Sequence, residues 1–125
     1  MLPGDPPTFA ITEGPDLVPG PGEAVVDLAA AALNRRDWWI WRSAETTVPV
    51  TLGSDGAGRV RALGTGTSGL RVGDEVVIDA TLHWGAGEEH ADEAFEILGS
   101  PTRGTFAEQV CVPAINLAPR PQRLD

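Results

Sequence analysis

The sequence predicts a small, mostly antiparallel β domain, and three observations lead to this expectation. The chain has 125 residues, the size of one ordinary domain. Its 15 glycines and 11 prolines make up about a fifth of the residues, more than a helical protein usually carries. Short runs of alternating apolar residues lie between these turn formers. Such spacing is typical of several short strands closing into a small barrel.

Before the first clear strand the chain is rich in turn residues. We expect residues 1–18 to be loose, with a short strand at 8–12. Residues 23–29 alternate as a strand should. Three apolar side chains of this strand are expected on one face: Ala24, Val26 and Leu28.

The pattern changes from strand to helix after Asn34. Residues 36–42 predict a short helix, in which Trp38 and Trp41 share one face because they are three residues apart. Asp37 is expected to stabilise the start of this helix, either as a cap or through a neighbouring Arg.

The C-terminal half predicts three more strands, at 59–63, 74–78 and 104–112. Between the last two, residues 83–103 are expected to form a long irregular lobe. A tail interrupted by prolines follows the last strand.

Residues 64–69 match the dinucleotide-binding pattern G-x-G-x-x-G letter for letter. That motif binds a pyrophosphate only where it leaves a strand and opens a helix. Here the next regular element is another strand, so we interpret the segment as a turn.

Charge and composition exclude several classes of function. The chain carries 18 acidic and nine basic residues, for a net charge of −9, which repels nucleic acids and anionic membranes. All nine basic residues are Arg, so a Schiff-base lysine and a phosphate-binding P-loop lysine are excluded. No apolar run approaches the roughly 18 residues of a membrane span, and no signal peptide is apparent. We therefore expect a cytoplasmic protein.

The remaining reactive side chains give weak signals. His83 and His90 lie near an acidic run, but neither their spacing nor a nearby thiol favours a metal site, so a solvated loop is the preferred interpretation. Cys111, the single cysteine, excludes an internal disulfide and is expected to be a small buried residue. The tryptophans are expected mainly in the core, with an aromatic pocket wall as the alternative.

Several blocks, taken together, resemble the N-terminal GroES-like domain of medium-chain dehydrogenases/reductases. They cover most of residues 19–121 and are PGEAVV at 21–26, AALNRRD at 31–37, VTLGSDGAGRV at 50–60, the glycine-rich stretch 64–76, GTFAE at 104–108 and VPA at 112–114. The chain is most similar to the quinone-oxidoreductase-like branch and to the zinc-type alcohol dehydrogenase-like proteins, and the segments at 82–85 and 95–99 also resemble the latter. The resemblance implies a partly open β-barrel with short helices. It also implies that residues 122–125 begin a connection to a missing Rossmann domain and that a truncated N-terminal segment leaves a sheet edge unpaired.

Departures from the family pattern imply a site without zinc. Zinc-dependent members place Cys at the position of Asn34 and a His-Glu pair at Ser54-Asp55. Trp39 stands where those enzymes carry a proton-relaying His. The lobe 83–103 contains no Cys for a structural zinc. An amide and a hydroxyl are poor replacements for thiolate and imidazole ligands.

By resemblance, the activity is hydride transfer from NADPH or NADH to a quinone, an activated alkene or a carbonyl. Asn34 would be the catalytic residue beside the nicotinamide, and Arg35, assisted by Arg36, would bind the cofactor phosphates. The substrate pocket is expected to contain Trp38, Trp39, Ser54, Asp55 and Trp84.

The expected partners are a small-molecule substrate and a Rossmann domain, in the same chain or in a separate one. The ribose-reading residues would lie in that domain, so NADP(H) and NAD(H) are not distinguished. Without it, we expect these residues to be inactive. Two alternatives stay open, a non-enzymatic GroES-like binding or assembly module and one half of a split enzyme, as does assembly into a homo-oligomer.

Overall fold

The long strand β1 organises the fold, because both of its edges are paired over its first half. The computed structural model describes Met1 and residues 8–43, 49–85, 87 and 90–123. Its regular elements are β1 (Glu23–Ala32), α1 (Arg35–Ser43), β2 (Asp55–Leu63), β3 (Glu75–Ile78), β4 (Thr81–Leu82), β5 (Glu96–Ile97), β6 (Gln109–Pro113), a 3₁₀ helix (Ala114–Asn116) and β7 (Leu117–Pro119).

Five strands form one antiparallel sheet in the order β6-β1-β2-β3-β7. Along β1, Glu23 to Asp27 pair with β6, whereas pairing with β2 continues to Ala32. The exposed stretch Ala29–Ala32 therefore has a ladder partner on one edge only, within the part of the chain that the structure describes. β4 and β5 form a separate two-stranded sheet.

The core lies on one face of the sheet, where strand alternation places the apolar side chains. Ala24 and Val26 of β1 are completely buried, and Leu28 packs against them at the margin, as the alternation predicted. The remaining buried members of this cluster are Val60, Val76, Ile78, Leu82, Leu98, Val110, Val112 and Leu117. The mostly β, partly open architecture is thus confirmed.

Two strand predictions are wrong. Residues 8–12 form no strand, only an isolated bridge at Thr8, and Ile11 is fully exposed. The last long strand begins at Gln109 instead of Gly104. The preceding N–H groups, those of Gly104, Thr105 and Phe106, donate across the chain to the carbonyls of residues 51–53 and are unavailable to the sheet.

The lobe and the tail are more regular than expected. Within 83–103, β5 pairs with β4, and the tail contains β7, which pairs with β3. Cys111 is half-buried rather than part of the core. It lies on the sheet face opposite its buried neighbours Val110 and Val112, with its Sγ 3.5 Å from Oε2 of Glu23.

The glycine-rich segment 64–69 forms a turn between β2 and β3, as predicted, and no helix follows it. Gly66 and Gly69 both have φ +80°, a backbone conformation that glycine adopts readily. No helix among the described residues is long and apolar enough to cross a lipid bilayer.

Candidate functional site

The first turn of α1 is held by a buried carboxylate. Asp37, only 5% exposed, accepts one hydrogen bond from the backbone N–H of Asn34 at 2.8 Å and a second from that of Gly53 at 2.9 Å. Asn34 occupies the N-cap position, so Asp37 supplies the reach-back half of a capping box. It therefore has the structural role expected of it, and it ties the helix to the loop before β2.

Gly53 is required where this loop meets the segment before β6. Its φ is +93°, and a Cβ atom there would lie 2.5 Å from Oγ1 of Thr105 and 2.6 Å from Cδ1 of Phe106. The loop can thus approach closely enough for Thr105 Oγ1 to donate to the carbonyl of Asp55 at 2.8 Å. Both contacts fix the start of β2.

Asn34, Ser54 and Asp55 form one polar cluster at this junction. The Nδ2 of Asn34 lies 3.3 Å from Oγ of Ser54 and 3.0 Å from Oδ2 of Asp55. A carboxylate only accepts hydrogen bonds, so the amide nitrogen must face Asp55. Ser54 is buried and Asp55 is exposed, which places the cluster at the surface end of the junction.

These three side chains do not fit a zinc ion. Zinc prefers thiolate, imidazole and carboxylate ligands, and Asp55 alone offers one of them. The amide N–H groups of Asn34 occupy the space between the oxygens, where they repel a cation. Across the described ranges, no three His, Cys, Asp or Glu side chains are grouped so as to hold a metal ion. His83 and His90 are therefore not part of such a group among the described residues. Glu88 and Glu89 of the acidic run lie outside the described residues.

An apolar cavity of about 360 Å³ lies beside the polar cluster. Its walls come from the N-terminal segment, α1 and the loops around Gly53: Phe9, Leu33, Asn34, Asp37, Trp38, Trp41, Leu52 and Phe106. Phe9 stacks on Trp41 with the ring centroids 6.3 Å apart. Asn34 belongs to both the cavity wall and the polar cluster, so the two features adjoin.

The arginines expected at the cofactor point in different directions. The exposed Arg35 has its guanidinium 5.0 Å above the ring of Trp39. Arg36 instead donates from Nη2 to the carbonyl of Ser100 at 2.8 Å, and its Nη1 is buried with no hydrogen-bond partner among the described residues. Arg36 thereby fastens α1 to the lobe.

The structure brings together some of the predicted pocket residues and separates others. Trp38 lines the cavity, and Ser54 and Asp55 adjoin it through Asn34. Trp39 is not in the cavity wall. Trp84 packs edge-on against Phe95 at 5.4 Å and donates to the carbonyl of Gly87, also outside that wall.

Sequence reasoning missed most of the cavity wall. Trp41 was detectable, because it shares a helix face with Trp38. Four other members come from segments with no local signal for a pocket: Phe9, Leu33, Leu52 and Phe106.

Comparisons with known proteins agree with the fold. Residues 20–122 match the family described as the alcohol dehydrogenase GroES-like domain. The L-threonine 3-dehydrogenase of Pyrococcus horikoshii is 31% identical over 117 aligned residues, which cover 85% of this chain and 34% of that protein. The chain spans about a third of the length of such curated relatives.

Two solved structures extend the likeness. A crystal structure of an NAD-dependent alcohol dehydrogenase is 41% identical with a TM-score of 0.83, over 91% of this chain and 36% of the other. A cobalt- and zinc-bound thermostable alcohol dehydrogenase from Pyrobaculum aerophilum is 32% identical with a TM-score of 0.72, over 81% of this chain and 33% of the other. The chain therefore belongs to the alcohol dehydrogenase GroES-like family and is an N-terminal domain of the medium-chain dehydrogenase type.

Proposed function

We propose that this domain is the substrate-binding part of a zinc-independent, NAD(P)H-dependent oxidoreductase that reduces a quinone, an activated alkene or a carbonyl. Residues 19–121 would form the GroES-like unit, and residues 122–125 would lead toward a Rossmann domain, in the same chain or in a separate one. The observation that carries the proposal is the Asn34 cluster. An amide, a hydroxyl and one carboxylate, already bonded to one another, stand beside an apolar cavity.

The cofactor would be held mainly outside this domain. The segment 64–69 is followed by a strand, so it lacks the helix N-terminus that binds a pyrophosphate. A bound nicotinamide would supply the hydride. Asn34, at the junction of the cavity and the polar cluster, would position the reacting group of the substrate against it.

The other predicted site residues have unequal support. Arg35 is exposed and can meet a phosphate by leaving the ring of Trp39. Arg36 already donates a hydrogen bond to the carbonyl of Ser100 in the lobe, which favours a structural role. A pocket role for Trp39 and Trp84 requires a wall supplied by the second domain.

Zinc independence has a direct test with a matched positive control. The domain is purified from zinc-supplemented medium and its metal content is measured by mass spectrometry. We expect far less than one zinc per chain. The double variant Asn34→Cys, Ser54→His is expected to gain zinc, because it restores a thiolate and an imidazole beside Asp55. Stoichiometric zinc in the unaltered domain, lost in Asn34→Ala, would contradict the proposal.

The reductase activity is tested on the polypeptide that carries this domain together with its Rossmann domain. Consumption of NADPH and of NADH is followed with 1,4-naphthoquinone, with and without a chelator. We expect turnover that the chelator leaves unchanged. Loss of turnover in the chelator, with recovery on adding zinc, would show a metal-dependent enzyme instead.

One observation favours the alternative of a binding module. Trp38 and Trp39 are about half exposed on α1, each under an arginine, at 5.2 Å from Arg42 and 5.0 Å from Arg35. Exposed Trp and Arg side chains are enriched in protein interfaces. A stable complex that survives removal of nicotinamide nucleotides, but not Trp39→Ala, would support this function over the enzyme.

A further inference from the structure

We propose that the cavity beside Asn34 takes an uncharged ligand with a flat apolar group of one or two rings, and that it does not take an amino acid. This inference rests on the proposed function, for which it names the substrate class. It also separates this domain from the L-threonine 3-dehydrogenases that it resembles.

The size of the cavity suits a ring with a short substituent. A cavity of roughly 150 Å³ lined by apolar side chains binds benzene. The cavity here has about 360 Å³, near the lower end of small-molecule sites. A one- or two-ring carbonyl compound therefore fills it, with room for a polar end.

The wall of the cavity favours flat molecules. Trp38 and Trp41 project from the same side of α1, and Phe9 and Phe106 also contribute rings. Aromatic faces bind flat apolar groups by stacking and edge contacts, with a gain of about 0.5–1.5 kcal/mol per ring pair beyond area burial. Four aromatic residues in one small site thus select for a planar ligand.

The described side chains of the same wall offer no free ionic partner to an ammonium or a carboxylate group. Among the described residues, its side chains include no cation, and Asp37 is its one acid. Both oxygens of Asp37 are already engaged, by the N–H groups of Asn34 and Gly53. The carboxylate of a zwitterion would therefore lose its hydration without gaining a cationic partner in this wall, which is strongly unfavourable in an apolar site.

Asn34 fixes which end of the ligand is polar. It is the member of the wall that also belongs to the polar cluster with Ser54 and Asp55. A carbonyl group placed at this end can accept a hydrogen bond from the Ser54 hydroxyl, which itself accepts from Asn34, while the ring stays against the tryptophans. The specificity of the site then depends on the ring, through Trp38 and Trp41.

Binding is tested on the 125-residue chain by ¹H–¹⁵N NMR of the tryptophan indole N–H signals. Acetophenone, an uncharged aromatic ketone, is titrated against L-threonine. We expect saturable shifts of the Trp38 and Trp41 signals with acetophenone, at a Kd on the order of 1 mM. L-Threonine should move neither signal at the same concentrations.

A charge placed in the wall should abolish this binding. Leu33 is 84% exposed, so Leu33→Asp adds a carboxylate to the cavity with little effect on folding. We expect the Kd for acetophenone to rise at least tenfold. Ile115→Asp is the matched control, because Ile115 is 93% exposed and is not part of the wall. It should leave the Kd unchanged.

The outcomes separate this inference from the proposed function. Two results would overturn the inference: L-threonine shifting both indole signals, or a Kd for acetophenone that is unchanged in Leu33→Asp. Neither result touches reductase activity, which is measured on the complete polypeptide. Acetophenone binding with no turnover of NADPH or NADH by that polypeptide would uphold the cavity assignment and refute the oxidoreductase.

Discussion

Replacing Asp37 by Ala tests whether one carboxylate holds the site together. The change removes the acceptors of two backbone N–H groups. The bond to Gly53 is buried, so its loss should cost about 2–3 kcal/mol, whereas water can partly replace the half-buried bond to Asn34, at about 1 kcal/mol. The expected loss is thus about 3–4 kcal/mol. For a domain with a total stability of about 5–15 kcal/mol, this is a large fraction.

Urea unfolding followed by tryptophan fluorescence measures the effect. With an m-value of about 1.5–2 kcal/mol per M, the midpoint should fall by roughly 2 M. Asp74→Ala is the control, because Asp74 also accepts a backbone N–H, that of Arg71 at 2.8 Å, but in an exposed turn. Its loss should stay below about 1 kcal/mol. Equal shifts for the two variants would refute the assigned role of Asp37.

Three further predictions concern single positions. Gly53→Ala should lower the melting temperature far more than Gly66→Ala. Both glycines have positive φ, but of the two only Gly53 lacks room for a Cβ atom. Equal melting temperatures of the two variants by circular dichroism would contradict this prediction. Burial, and then a neighbouring carboxylate, raises the pKa of the Cys111 thiol to about 11, so its thiolate absorbance should appear near that pH. The folded state holds this proton more tightly than the unfolded chain, so stability should fall as the pH rises above about 9. A hydrogen bond from Arg120 is the largest of the causes that lower the pKa of Glu75. In Arg120→Gln, the NMR titration of the Glu75 carboxyl should therefore move to higher pH. The contribution of Glu75 to stability should be lost as the pH falls through the lowered pKa.

Local sequence patterns were sufficient to predict the central strands of the sheet. β1, β2 and α1 each contain an apolar repeat of the right period, and β3 is a continuous apolar run; both signals can be read without knowing the partner. β7 could not be found this way. It has three residues, and its strand conformation depends on pairing with β3, which lies about forty positions earlier in the chain.

The same distinction between local and long-range signals decides which residues of the site could be predicted. Asn34, Ser54 and Asp55 were recognised together because the family pattern links their positions, and their hydrogen bonds do join them. Phe9 and Phe106 enter the cavity through loops, and no local period marks a loop residue as part of a wall. The sequence also could not show that Arg36 turns toward Ser100 while Arg35 lies on a tryptophan.

The one-sided pairing of Ala29–Ala32 affects how the domain behaves when it is concentrated. None of these four side chains carries the charge or the ring with which Lys or Pro usually deters strand addition at an edge. At the millimolar concentrations common in NMR, stacking of molecules along this edge would compete with the monomer. A lysine in place of Ala31, which is exposed, would make the edge repel its own copies and keep the sample monodisperse.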